Sequence, residues 1–210
     1  MYCNKVVDFS KLKEFQHESG IYFRSDTIKG NKEDLLDLRE YVDMSTQLYS
    51  LSKFCACFSN IPHLKPLYNT LTPQQRISIQ TLIPVSYPDA MSWISRLAGK
   101  RILVITAEAP RVIQRIQYET SHPNQTSHPM STFIQQSTFI VYSGYNCFHG
   151  NKPHTSWKYT FQQMCEDIQD KEFDVALVAF GGYNYPLCHY IFTTLNRTVI
   201  QLGYDIREWF

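Results

Sequence analysis

The pattern of apolar and polar positions changes character near residue 97. Before it the spacing is helical. In "NKEDLLDLREYVDMSTQLYSLSKF", which begins at Asn31, the residues Leu35, Leu38, Val42 and Leu48 or Tyr49 recur every three to four positions, and this predicts a helix that turns them toward a core. Asn31 is the expected N-cap, and the acids that follow suit the positive end of the helix dipole. The prolines of "NIPHLKPLYNTLTPQQ" then interrupt the pattern, and shorter helical stretches follow near Pro73–Leu82 and Pro88–Leu97. Residues 1–97 therefore read as a mainly helical lobe packed on what comes next.

From Gly99 the period shortens. "KRILVIT" is a nearly continuous apolar run rich in β-branched residues, the signature of a strand buried on both faces. A cycle follows: a helix near Pro110–Tyr118, the strand "STFIVYS" from Ser137, a helix near Trp157–Gln169, the strand "FDVALVAF", a glycine turn, a helix near Pro186–Leu195 and the strand "TVIQLG". Strands that alternate with helices through right-handed crossovers build a Rossmann-like parallel α/β sandwich, here over residues 98–210. Between the first of these helices and the second strand, "TSHPNQTSHPMS" has no apolar period and reads as an exposed loop.

Composition narrows the function. The 20 basic and 19 acidic residues give no single-sign field for nucleic acid or an anionic membrane. No apolar run is long enough to span a bilayer and no secretory leader opens the sequence, so the expectation is a soluble, cytoplasmic protein. The six cysteines form no paired C-x-x-C knuckles and read as reduced thiols; Cys55 and Cys57 are placed late in a helical pattern, where they point to different faces.

In an open parallel sheet, ligands bind beyond the carboxyl ends of the strands. Four stretches lie there: "TAEAP" after the first strand, "SGYNCFHG" after the second, "GGYNYP" after the third and "GYDIREW" after the fourth. They supply Thr106, Ser143, Gly144, Tyr145, Gly181, Gly182, Tyr183, Asn184, Gly203 and Asp205 as substrate-binding candidates. Gly181 and Gly182 have two readings. Bare backbone with positive φ lets a diphosphate approach the amides, and it also makes a strand-to-helix corner with no ligand at all. Tyr145 or Tyr183 is placed to stack a base. For acid–base work the rim offers Glu108, Asp205 and His149, with Arg24 and Asp26 supplied by the helical lobe if it folds over the cleft. Glu108 has a second reading as a charge at a helix N-terminus.

The second half resembles a family of proteins treated as glycosyltransferases related to the GT-D fold, found in bacterial polysaccharide gene neighbourhoods and in some large DNA viruses. The resemblance covers roughly residues 85–210 and rests on "LAGKRILVIT" at Leu97, on Trp157, Met164 and Ile168 leading into "FDVALVAFGGYNYPL", and on "VIQLG" at Val199. Gly182, Tyr183, Pro186 and Leu187 fall on the family's turn, and Gly203 on its last glycine. Phe180, Asn184 and Tyr204 differ from it, and "YFRSDTIKG" at Tyr22 has an arginine and an aspartate but lacks the D-x-E expected near the N-terminus. The resemblance implies a nucleotide-sugar donor, a glycan or polysaccharide acceptor, and Mn²⁺ or Mg²⁺ as the cation that offsets diphosphate charge. The one D-x-E in the chain, Asp170 to Glu172, falls at the opposite edge of the sheet and reads as a solvated turn, so no metal ligand is assigned.

The expected chemistry is sugar transfer, with Glu108 or Asp26 deprotonating the acceptor. The alternative is a non-catalytic Rossmann-like binding or interaction module of a larger glycan-assembly protein. An NAD-linked enzyme would need a carboxylate at the end of the second strand, and "VYSGYN" carries none.

Overall fold

A computed structural model describes residues 16–17, 19–24, 32–56, 69–77, 91–123, 129–203 and 206–210. Its centre is a four-stranded, all-parallel sheet of β3 (Arg101–Thr106), β4 (Thr138–Tyr142), β5 (Val175–Ala179) and β6 (Thr198–Gln201), in the order β4-β3-β5-β6. Register is set by Ile102 against both Phe139 and Val175, and by Val175 against Thr198. The Rossmann-like α/β class read from the sequence is the class observed.

β3 shows why its sequence makes a central strand. Ile102 and Val104 enter one core, while Leu103 and Ile105 enter the other, all four fully buried. Alternate side chains leave opposite faces of a strand, so a run apolar at every position suits a sheet covered on both sides. One layer holds α3 (Ala109–Ser121), α4 (Ser131–Gln136) and α7 (Ile206–Trp209) and is centred on Phe133 and Trp209. The other holds α1 (Lys32–Leu51), α5 (Trp157–Gln169) and α6 (Asn184–Thr193), with Trp157, Phe161 and Leu187 at its heart. At the amino edge of the sheet, Arg101 pairs with Glu172 at 2.7 Å and Asp174 at 3.1 Å. The Asp170–Glu172 turn thus lies away from the carboxyl edge, as expected.

Several elements depart from expectation. The face of α1 is turned from the one expected: Leu38 and Leu48 pack on the core as predicted, but Leu35 and Val42 stand about half exposed, at 48% and 50%, whereas Asp34, Asp37 and Tyr41 are buried. The reason is electrostatic. The Arg24 backbone N–H donates to Asp34 at 3.0 Å, and its guanidinium reaches Asp37 at 3.1 Å and Glu33 at 3.3 Å, so the buried carboxylates are answered by hydrogen bonds and charge. The α1 helix ends at Leu51, and Cys55–Ala56 forms a two-residue strand, β1, paired in parallel with β2 (Arg76–Ile77), where a late helical turn and a helix from Pro73 were expected. Pro73–Gln75 is a single 3₁₀ turn. Between α1 and β3, α2 (Met91–Ile94) continues into a 3₁₀ turn to Leu97. The short helix α4 falls where the sequence pattern predicts no element. Asn31, Cys57 and the middle of the Ser-His-Pro loop lie outside the described residues.

The segment Ile21–Phe23 is part of the core, and its Tyr22 carbonyl accepts the backbone N–H of Trp157 at 2.8 Å. Among the described residues no helix is long and apolar enough to cross a membrane.

Candidate functional site

β3 and β5 are neighbours, with Thr106 beside Ala179 at their carboxyl ends. The helix after β3 packs into one layer and the helix after β5 into the other, so the two connections diverge. Divergence of this kind opens the crevice in which parallel sheets hold ligands.

On the β3 side Thr106 is fully buried, and its hydroxyl accepts the backbone N–H of Glu108 at 3.1 Å, which closes the turn into α3. Thr106 therefore shapes the rim from beneath and does not face a ligand. Glu108 stands as the N-cap of α3, but its side chain makes no capping hydrogen bond. It forms an ion pair with Arg207 of α7. Both partners are partly exposed, at 37% and 49% of their side-chain surface. Arg111 ties the same corner, its guanidinium donating to the Phe210 carbonyl at 3.2 Å and the Arg207 carbonyl at 3.4 Å.

On the β5 side the two glycines separate in role. Gly181 has φ of +55° and is exposed; Gly182 is buried and has no positive φ, which corrects the expectation of a paired left-handed turn. A Cβ on Gly182 would lie 2.5 Å from Ile21 Cγ1, and one on Gly181 would lie 2.6 Å from the Phe148 ring and 2.8 Å from the Ser19 carbonyl oxygen. These glycines are bare because other parts of the protein press on them. The turn also consumes its own polar groups. Tyr183 N–H returns to the Phe180 carbonyl at 3.1 Å, the Asn184 N–H to the Gly181 carbonyl, and the Gly182 carbonyl accepts the Tyr41 hydroxyl at 3.0 Å.

Two expectations fail here. Tyr183 is fully buried, with its hydroxyl beside Cys147 and Thr160, and burial pushes its pKa well up; it has no face on which to stack a base. Asn184 is 5% exposed, and its Oδ1 accepts the Phe180 N–H at 2.5 Å, so it braces the turn from inside. Helix α6 begins at Asn184, two residues ahead of the expected Pro186.

After β4, Ser143 is exposed and Gly144, with φ of +59°, lies under the Phe180 ring, where a Cβ would come within 2.7 Å. Tyr145 keeps a partly exposed ring and donates its hydroxyl to Asp167 Oδ2 at 3.1 Å. After β6, Gly203 has φ of +58°, and a Cβ added there would meet no atom within 4 Å. Arg24 is engaged with the carboxylates of α1. Asp26 and Asp205 lie outside the described residues. His149 is exposed, has φ of +56°, and meets His17 edge to face at 5.2 Å. His189 binds Gln47 at 2.9 Å, and burial lowers its pKa.

Sequence reasoning missed Arg207, the partner of Glu108. Its signal was the position of "GYDIREW" at the carboxyl edge. It also missed a polar cluster under the 144–154 loop, in which the Thr160 hydroxyl meets the Tyr22 hydroxyl at 2.5 Å and His154 Nδ1 at 2.9 Å. Burial pushes the thiol of neighbouring Cys147 up to about 11, which keeps it protonated at neutral pH. Among the described residues, no group of three or more His, Cys, Asp or Glu side chains is arranged to hold a metal ion.

These features define an α/β protein of Rossmann-like type whose carboxyl edge carries the exposed Gly181 after β5 and the Glu108–Arg207 pair after β3. No family model, curated protein or solved structure matches the chain.

Proposed function

We propose that the chain is a glycosyltransferase-like protein that holds the diphosphate of a nucleotide-sugar donor between the β3 and β5 connections and transfers the sugar to a glycan acceptor. The observation that supports this reading is the reversal of crossover direction between β3 and β5, with Gly181 exposed at that point. The expected contact moves from the whole stretch 181–184 to Gly181 alone, because the amides of Tyr183 and Asn184 are already bonded. Arg207 is a cation beside the proposed crevice, with Arg111 at the same corner. A diphosphate that draws its guanidinium away from Glu108 leaves that carboxylate unpaired and able to accept the proton of an acceptor hydroxyl. Asp26 is the second base under this reading. Since the described residues form no metal cluster, no step is routed through Mn²⁺ or Mg²⁺.

A second reading, a non-catalytic binding module of a glycan-assembly protein, is favoured by the covering of Gly182 by Ser19 and Ile21. Calorimetric titration with UDP-, GDP- and dTDP-sugars, with and without Mn²⁺, tests the first. Binding that weakens at least tenfold in Arg207→Ala is expected, and silence toward every donor at millimolar concentration refutes it. Glu108→Gln separates the two readings: loss of about 10²-fold or more in transfer marks a catalyst, whereas a module that binds donor without turnover in either form supports the second.

A further inference from the structure

On the connection that leads from the edge strand β4 to α5, and on the first turn of α5, aromatic rings gather at the surface. Tyr145 and His154 meet edge to face with centroids 4.7 Å apart, and His154 meets Tyr159 at 5.3 Å. Tyr159 is 48% exposed. A single exposed ring on a protein surface is ordinary; a contiguous run of them marks a contact surface.

Tyr145 and His154 of this run are also fixed in place. Tyr142 and Tyr145 both donate their hydroxyls to Asp167 Oδ2, at 2.6 and 3.1 Å. His154 is held from behind, its Nδ1 against the Thr160 hydroxyl at 2.9 Å and its backbone N–H donating to the Tyr22 hydroxyl at 3.1 Å. Thr160 is fully buried, so the anchor belongs to the core. Rings locked before binding cost little entropy when a ligand arrives. With both tyrosines on Oδ2, Asp167 Oδ1 takes no hydrogen bond from the described residues and stands at an exposed position as an acceptor.

We infer that this surface binds a neutral sugar ring: the apolar C–H face of a pyranose lies on Tyr145 and Tyr159, and its hydroxyls donate to Asp167. A pyranose presents an apolar C–H face and several hydroxyl donors at its edge, which matches a ring surface beside a carboxylate acceptor. Charge decides against a nucleotide, because the carboxylates of Asp167 and Glu166 both act on Tyr145 and would repel phosphate. The position suits an acceptor. Gly144 packs on Phe180, the residue before Gly181, so the Tyr145 loop borders the proposed donor crevice. The acceptor role rests on the glycosyltransferase reading, while the sugar surface itself does not.

The test is saturation-transfer NMR on the full chain with maltose, cellobiose, lactose and chitobiose, each with and without UDP, followed by affinity measurement. Binding of at least one disaccharide is expected, with affinity about tenfold or more weaker in Tyr159→Ala and in Tyr145→Ala. Asp167→Asn is expected to weaken it severalfold while thermal melting stays near that of the wild type. Tyr159 and Asp167 are exposed, so folding survives these changes and the result stays interpretable. Absence of binding to all four sugars in both conditions overturns the inference, as does equal binding by Tyr159→Ala, or uridine competing at the same rings. Sugar binding without any donor binding leaves this surface standing and removes the glycosyltransferase reading.

Discussion

Replacing each of three glycines by alanine separates space from backbone strain and tests whether residues 19–21 seal the turn after β5. At Gly182 the issue is space alone, since its φ is not positive. The new Cβ would lie 2.5 Å from Ile21 Cγ1, 3.0 Å from Ser19 Cβ and 3.1 Å from the Ser19 carbonyl oxygen. Carbon contacts favour about 3.5–4.0 Å, so Ile21 or the turn must retreat by roughly 1 Å. Ile21 is fully buried, so its shift would press on the core around it. Overpacking of this kind costs about 1–3 kcal/mol, against which alanine returns about 0.4–1 kcal/mol by restricting the unfolded chain. The net expectation for Gly182→Ala is a loss of about 1–2 kcal/mol, which for a chain of this size lowers Tm by about 2–8 °C. Gly181→Ala meets similar crowding and adds left-handed strain of about 1–2 kcal/mol, so it is the most damaging of the three. Gly203→Ala has open space and incurs strain only. Urea unfolding gives the order through the midpoints at constant slope. If Gly182→Ala matches or exceeds the wild type, or Gly203→Ala costs more than Gly181→Ala, the N-terminal segment does not lie on the turn.

Two further substitutions probe the same contact from the helical side. Tyr41→Phe removes the hydroxyl that the Gly182 carbonyl accepts and leaves a buried acceptor without it, an expected loss of about 1–2 kcal/mol in chemical denaturation; a change under about 0.3 kcal/mol would show that water replaces the bond without cost. Asp37→Asn addresses pH. Burial raises the Asp37 pKa, with Arg24 opposing, so the folded state holds the proton more tightly than the unfolded chain. Its stabilising contribution is therefore complete below the ordinary carboxylate value of about 3.9 and fades as pH rises through the raised value. Urea midpoints from pH 3.5 to 7 should fall less steeply in Asp37→Asn than in the wild type, and the opposite slope would contradict the burial argument.

The sheet was legible because its strands carry their own instructions. "RILVIT" is buried at five of its six positions, the apolar Ile102 to Ile105 and then Thr106, whose hydroxyl is made tolerable there by its hydrogen bond; a strand covered on both faces needs that composition. The face of α1 was legible only in part, at Leu38 and Leu48. Leucines at helical spacing argued for one side, but Asp34 and Asp37 are drawn in by Arg24, a partner from outside the helix that periodicity cannot see. The glycine turn shows the same division. Its location after β5 was plain, whereas its covering by Ser19, Ile21 and Phe148 depends on contacts from distant sequence. The apolar "IYF" at Ile21 was a usable signal that a core segment precedes α1, and helix α4 was hidden by its six-residue length and by the Ser-His-Pro punctuation before it.

The N-terminal residues therefore reach the turn after β5 through the core. Ile21 sits over Gly182, Tyr41 holds the Gly182 carbonyl, and Tyr22 receives the N–H of Trp157 at the head of α5. Tyr22 also anchors Thr160 and, through it, His154 on the aromatic surface. One buried segment thus touches both the turn beside the proposed donor crevice and the support of the proposed sugar surface. A ligand that shifts Ile21–Phe23 has a physical route to both places, since packed cores transmit displacement instead of absorbing it. That linkage makes the helical part a determinant of the turn's geometry, and it accounts for part of the crowding that a Cβ on either glycine would meet on a turn that Gly181 leaves partly open to solvent.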